Sequence, residues 1–184
     1  ADFLARAEAF ANIYPELQGM TWIDEKKRVR VSFNTASRSN KYQKSSGSSI
    51  ESKDTVDNFN TTREVLLPTY STPHAQPNMA AVLQLHLPLI DKASFKGDLM
   101  IEYSIDAMYR YGVPNEVTAK YAISLKDIHG KQLAGTSVTE KKLLRNLLPW
   151  ANPINAYELT VSPVGNGLTI RGQAYRTSLG VIGS

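Results

Sequence analysis

The sequence predicts an all-β fold, an eight-stranded antiparallel jelly-roll sandwich with one or two short helices. The first observation behind this is alternation. About eight stretches place apolar and polar residues on opposite sides with period two, the mark of half-buried strands. The second is punctuation, because Pro, Gly, Asn and Asp fall between those stretches where turns are needed. The third is the closing ribbon. Ala156 to Val164 puts Tyr157, Leu159 and Val161 on one side, and Leu168 to Ser178 does the same with Leu168, Ile170, Gly172, Ala174 and Arg176. Gly165-Asn166-Gly167 joins the two runs, and Asn-Gly tolerates the positive φ of a tight hairpin.

In chain order, Asp2 reads as the N-cap of a short helix with Phe3, Ala7 and Phe10 on one side, ended by Pro15 and Gly19. Residues 1–19 then form an N-terminal helix or arm. Met20 to Phe33 reads as two strand pieces joined by a turn at Asp24-Glu25-Lys26-Lys27. Residues 34–62, rich in Ser, Asn, Lys and Asp, read as a long surface loop. Asn60-Thr61-Thr62 within it is a formal glycosylation sequon. Arg63 to Leu67 reads as a short strand stopped by Pro68, and Tyr70 to Pro77 as a loop. Asn78 to Leu87 fits either a helix capped by Asn78 and stopped by Pro88, or a strand with Leu83, Leu85 and Leu87 set against Gln84 and His86. Leu99 to Tyr109, Val117 to Ile128 and Gln132 to Val138 read as further strands. Thr139 to Leu148 is a basic, leucine-rich strand or helical turn, and Pro149-Trp150-Ala151-Asn152 is a corner before the ribbon.

The 184 residues suit one domain, 1–184. Hydrophobic content of 42% and charged content of 21% are ordinary for a globular chain. The net charge of +4 is compatible with RNA or an acidic surface without requiring either. There are no cysteines, which excludes disulfides, thiolate catalysis and cysteine-ligated metals. No apolar run approaches the roughly 20 residues of a membrane span, and no signal peptide is visible. The start at Ala1 suggests a processed or shortened chain, and the former would fit release from a polyprotein.

No catalytic residue, cofactor site or metal site emerges. His74, His86 and His129 lie in no metal-ligand spacing. The sequence has neither a phosphate loop nor a Gly-x-Ser-x-Gly elbow. Glu102 and Asp106 fall on one side of an expected strand and read as a solvated face rather than an acid–base pair. Lys26, Lys27, Arg28 and Arg30 form the best basic cluster and are the candidate RNA contacts. Tyr109 and Tyr111 could stack bases, although packing on a sheet edge is the commoner use of such residues.

The corner Pro149-Trp150-Ala151-Asn152 ahead of Tyr157 and Leu159 resembles the Trp-Ala-Asn corner of comovirus small coat proteins. Leu168-Thr169-Ile170-Arg171-Gly172 through Gly180 resembles their closing strand. Pro77 to Leu87, followed by Lys96-Gly97-Asp98-Leu99, resembles their short helix and next strand. The resemblance spans about Pro77 to Gly180. It implies a coat protein of the secovirus group, similar in size to those of cheraviruses, with Trp150 and Asn152 as structural anchors. It further implies a non-enzymatic capsid subunit with other coat subunits and viral RNA as partners, no membrane, and a place in the virion after assembly in the host cytoplasm. A movement protein binding single-stranded RNA is the first alternative. A jelly-roll carbohydrate-binding module, with Trp22 and Trp150 as platforms, is the second.

Overall fold

The computed structural model describes residues 2–35, 46–73, 81–137, 156–161 and 167–175. In order the elements are α1 (Asp2–Ile13), β1 (Leu17–Asp24), β2 (Val29–Asn34), α2 (Lys53–Val65), β3 (Thr69–Tyr70), β4 (Val82–Asp91), β5 (Ser94–Ser104), α3 (Ile105–Gly112), α4 (Asn115–Thr118), β6 (Tyr121–Lys126), β7 (Gln132–Gly135), β8 (Ala156–Thr160) and β9 (Thr169–Ala174). They build two antiparallel sheets, ordered β2-β1-β5-β4-β3 and β7-β6-β9-β8.

This architecture corrects the jelly-roll expectation. In a sandwich made of two Greek keys the chain passes back and forth between the sheets. Here β1 to β5 all join the first sheet before the chain enters the second. The N-terminal helix is present as expected, but three further helices, α2, α3 and α4, take segments that were expected to be strand or loop, so the fold is mixed α/β.

The β1–β2 turn forms where the sequence places it. Asp24 Oδ1 accepts from the backbone N–H groups of Lys26 and Arg28 at 2.8 and 2.9 Å, and Lys27 takes φ 63°. The β4–β5 turn carries no such signature. Lys92 and Ala93 both hold positive φ, 47° and 63°, between the paired Asp91 and Ser94. β4 also runs through Pro88, the expected stop. β3 pairs only with Leu85 and His86, so among the described residues one side of β4 has no neighbour at Pro88 that would call for an N–H. Gly97 lets β5 lie close against β1: a Cβ there would sit 2.3 Å from the Ile23 carbonyl oxygen, at φ +145°.

α2 replaces most of the second half of the expected surface loop, and also the strand expected at Arg63. Its buried residues are Thr55, Phe59 and Thr62, a helical stripe that is two-thirds threonine. It ends on Leu66 in the left-handed conformation, just ahead of Pro68. α3 cuts short the strand expected to reach Tyr109. Ser104 caps it by accepting from the Ala107 N–H at 3.2 Å, and Asp106 pairs with Arg110 one turn on. The closing ribbon is present, with Tyr157 opposite Gly172 and Leu159 opposite Ile170.

The core has three parts. Ala7 of α1 packs on Leu17, Met20 and Ile101, with Phe3, Phe33, Leu85, Leu99 and Tyr103 around them. Ile23, Phe59 and Met100 pin α2 to the opposite face of the same sheet. Ala81, Leu83 and Ile105 meet Leu125, Ala134 and Leu168, which joins the two sheets. Each fully buried aliphatic side chain in these clusters contributes about 1.5–3 kcal/mol.

Candidate functional site

The two faces of the five-stranded sheet differ in chemistry. Strand alternation sends Met20, Phe33, Leu85, Leu87, Leu99, Ile101 and Tyr103 toward α1. The α2 side takes the intervening residues, and most of them are polar. The register sets Ser32, Thr21, Met100 and His86 side by side across the sheet, with Gly19, Glu102 and Gln84 in the next row. Thr21, Ser32, Gln84, His86 and Asp98 are all buried. Sheet faces under a helix are normally apolar, because a buried polar group costs free energy unless it is hydrogen-bonded.

Much of that requirement is met by side-chain hydrogen bonds, in separate pairs and one linked set of three residues. Thr21 and Ser32 share a hydroxyl contact at 3.0 Å. Thr55 of α2 donates to Gln84 Oε1 at 3.1 Å, and Gln84 Nε2 donates to Glu102 Oε1 at 3.1 Å. Thr62 and Thr69 tie the other end of α2 to β3 through their hydroxyls. His86 Nδ1 and Asp98 Oδ2 lie 2.5 Å apart, and both side chains are 0% exposed. Among the described residues His86 Nε2 and Asp98 Oδ1 have no hydrogen-bond partner. For stability alone a buried ionisable pair is often no better than apolar residues of similar volume.

At the N-terminal end of α2 a cavity of about 290 Å³ opens between the start of β2 and the segment leading into the helix. It is lined by Val29, Ser48, Ser49, Ile50, Glu51, Ser52 and Thr55. Thr55 therefore belongs to both the cavity wall and the bond network beneath α2. Hydroxyls and one carboxylate stand there beside Val29 and Ile50, in a lining that is apolar over most of its area.

The sequence-derived candidates fall at the edge of this region. Lys26 and Arg28 are exposed at the β1–β2 turn, and the Lys27 ammonium stands 6.0 Å above the Phe59 ring. Arg30 Nε lies 2.8 Å from Asp24 Oδ2. Burial would raise the Asp24 pKa, but the Arg28 and Lys26 N–H groups and the Arg30 guanidinium outweigh it and hold the carboxyl below its usual range. The four cations are thus neighbours, but two of them serve the hairpin and α2. Trp150 and Asn152, the expected anchors, lie outside the described residues, as does His74. His129 is exposed, and Tyr109 packs against the core that joins the sheets. Glu102 and Asp106 do not share a face, since Asp106 belongs to α3. Among the described residues no three His, Asp or Glu side chains converge as metal ligands. Sequence reasoning missed Gln84, His86 and Asp98. The available signal was two polar residues alternating with leucines in Leu83 to Leu87, which reads equally as a solvated face.

No family model and no curated protein matches the chain in sequence. Solved structures match its fold. The sensory domain of the Campylobacter jejuni chemoreceptor Tlp3 superposes with a TM-score of 0.55 at 9% identity, over 94% of this chain and 72% of that one. The extracellular domain of the putative histidine kinase mmHK1S-Z2 gives 0.53 at 12% identity, over 94% and 81%. An extracellular ligand binding receptor from Desulfohalobium retbaense gives 0.54 at 12%, over 94% of this chain and 33% of that one. These likenesses establish the fold of sensory domains and overturn the resemblance to viral coat proteins. With it fall the capsid subunit, the coat-protein and RNA partners and the virion location. The short Trp-Ala-Asn and Lys-Gly matches do not specify a topology, because corners and strand starts of that kind occur in many β-containing folds.

Proposed function

We propose that this chain is the ligand-binding module of a sensory receptor and that it takes a small polar organic molecule on the α2 side of the five-stranded sheet. The observation that carries the reading is the division of that sheet. One face is built from leucine, isoleucine, methionine and aromatic residues, whereas the other carries Thr21, Ser32, Gln84, His86, Asp98 and Glu102 around the Ile23 and Met100 that hold Phe59. Folding alone would favour two apolar faces, and the cavity beside α2 shares Thr55 with the Gln84–Glu102 bonds, which is where a small ligand would reach the polar face. The sensory domain of Tlp3 has been solved with L-valine bound, at a TM-score of 0.53 to this chain and 8% identity. An amino acid is accordingly the first ligand to test. The module acts by binding, without chemistry of its own, and like its extracellular structural neighbours it samples the outside of a cell.

Thermal unfolding of the chain against L-amino acids, small carboxylates, amines and sugars tests this. A ligand at one hundred times its dissociation constant stabilises the folded state by about 2.7 kcal/mol. For a domain of this size that raises Tm by roughly 5–11 °C. Glu102→Met should weaken that ligand's binding at least tenfold, measured by calorimetry. The reading fails if no compound raises Tm at millimolar concentration, or if the one that does binds Glu102→Met equally well.

A further inference from the structure

We infer that Gln84 is a positioning residue that couples the carboxylate of Glu102, on the sheet, to α2 at the cavity wall. The direction of each bond is forced. A carboxylate only accepts, so the Gln84 amide must turn Nε2 toward Glu102, at 3.1 Å. That leaves Oε1 for Thr55, whose hydroxyl must donate across the 3.1 Å contact. Charge at one end thus fixes the hydrogen-bond polarity of all three residues.

The base of the Gln84 side chain is clamped as well. Its backbone N–H donates to Ser71 Oγ at 3.0 Å, and its carbonyl accepts from the Ser71 N–H at 2.8 Å. Gln84 and Thr55 are both buried, so water cannot stand in for a lost partner. When Glu102 changes its partners, the amide has to reorient, and Thr55 loses its acceptor. Thr55 lies in the first turn of α2 and lines the 290 Å³ cavity, so the change is felt at the helix bordering the site.

The coupling rests on the ligand-binding reading only for what acts on Glu102; the test needs no ligand, so the two can fail separately. Hydrogen exchange is followed at the α2 amides from Val56 to Phe59, with α1 as internal reference. Glu102→Met keeps the length of the side chain and removes the acceptor. It should speed exchange of those amides about fivefold relative to α1. In a Gln84→Leu chain the same substitution should leave α2 exchange where Gln84→Leu alone puts it. Thr55→Val, which preserves side-chain shape, should abolish the response in the same way and decides the matter if Gln84→Leu does not fold. A purely structural role would give additive effects. The inference is overturned if Glu102→Met leaves α2 exchange unchanged, or speeds it equally in the Thr55→Val background.

Discussion

Phe59 holds α2 over the polar face, and Phe59→Ala tests whether that hold is apolar. The ring is 0% exposed and packs between Ile23 and Met100. It meets Phe95 edge-on, with centroids 5.3 Å apart and planes at 87°. Truncating a buried Phe to Ala costs about 3–5 kcal/mol. Within that figure the edge-on pair accounts for roughly 0.5–1.5 kcal/mol. Lys27 stands 6.0 Å above the ring and is half-buried, so its share is at the low end of the roughly 0.5–1 kcal/mol seen at exposed sites. These terms put Phe59→Ala near 4–5 kcal/mol, against the roughly 5–15 kcal/mol of total stability typical of a domain. Urea unfolding followed by circular dichroism should show a lower midpoint at an unchanged slope. Tm should fall by roughly 8–20 °C. Phe59→Leu, which keeps much of the apolar volume, should lose less than half as much. A loss below about 1.5 kcal/mol for Phe59→Ala would show that the threonine contacts, not the ring, carry α2.

Two further outcomes follow from the first sheet. The Asp24 carboxyl titrates below its ordinary value of 3.8 in the folded chain, so its contribution is complete above that value and is lost as pH falls through the lower, folded one. Asp24→Asn should therefore lose less stability than the parent chain on acidification below about pH 4; parallel stability–pH curves would refute the assignment. Gly97→Ala should cost about 2–4 kcal/mol in chemical denaturation, because the new Cβ would meet the Ile23 carbonyl oxygen at 2.3 Å across the β1–β5 pair. Gly112→Ala, with nothing within 4 Å of its Cβ, is the control and should change stability by no more than about 0.5 kcal/mol.

Legibility in the sequence followed the physics of each segment. The β1–β2 hairpin could be read because Asp24 both interrupts the alternation and supplies the turn's hydrogen bonds. The closing ribbon could be read because its alternation is long, and β8 and β9 pair as that alternation implies. α2 was hidden because its buried stripe is Thr55, Phe59 and Thr62, and short polar side chains do not announce a helix. The β4–β5 turn was hidden because Lys92 and Ala93 adopt positive φ without the residues that favour it. α3 was hidden because Leu99 to Ile105 alternates without a break into the residue that starts the helix, and only the Ser104 cap marks the change. Gln84 and His86 looked solvated for the same reason that they matter: they are polar residues on a strand.

The sequence by itself determined where the chain alternates and turns, that it carries no thiol chemistry, and that no phosphate loop or nucleophile motif is present. Local patterns of side-chain polarity and backbone preference settle such things within a few residues. Only the tertiary structure decided which sheet each strand joined, that α2 covers the polar face, and that Thr55, Gln84 and Glu102 form one bonded set. Those depend on contacts between residues far apart in the chain, and period-two alternation is the same whether a strand's polar side meets water or a helix.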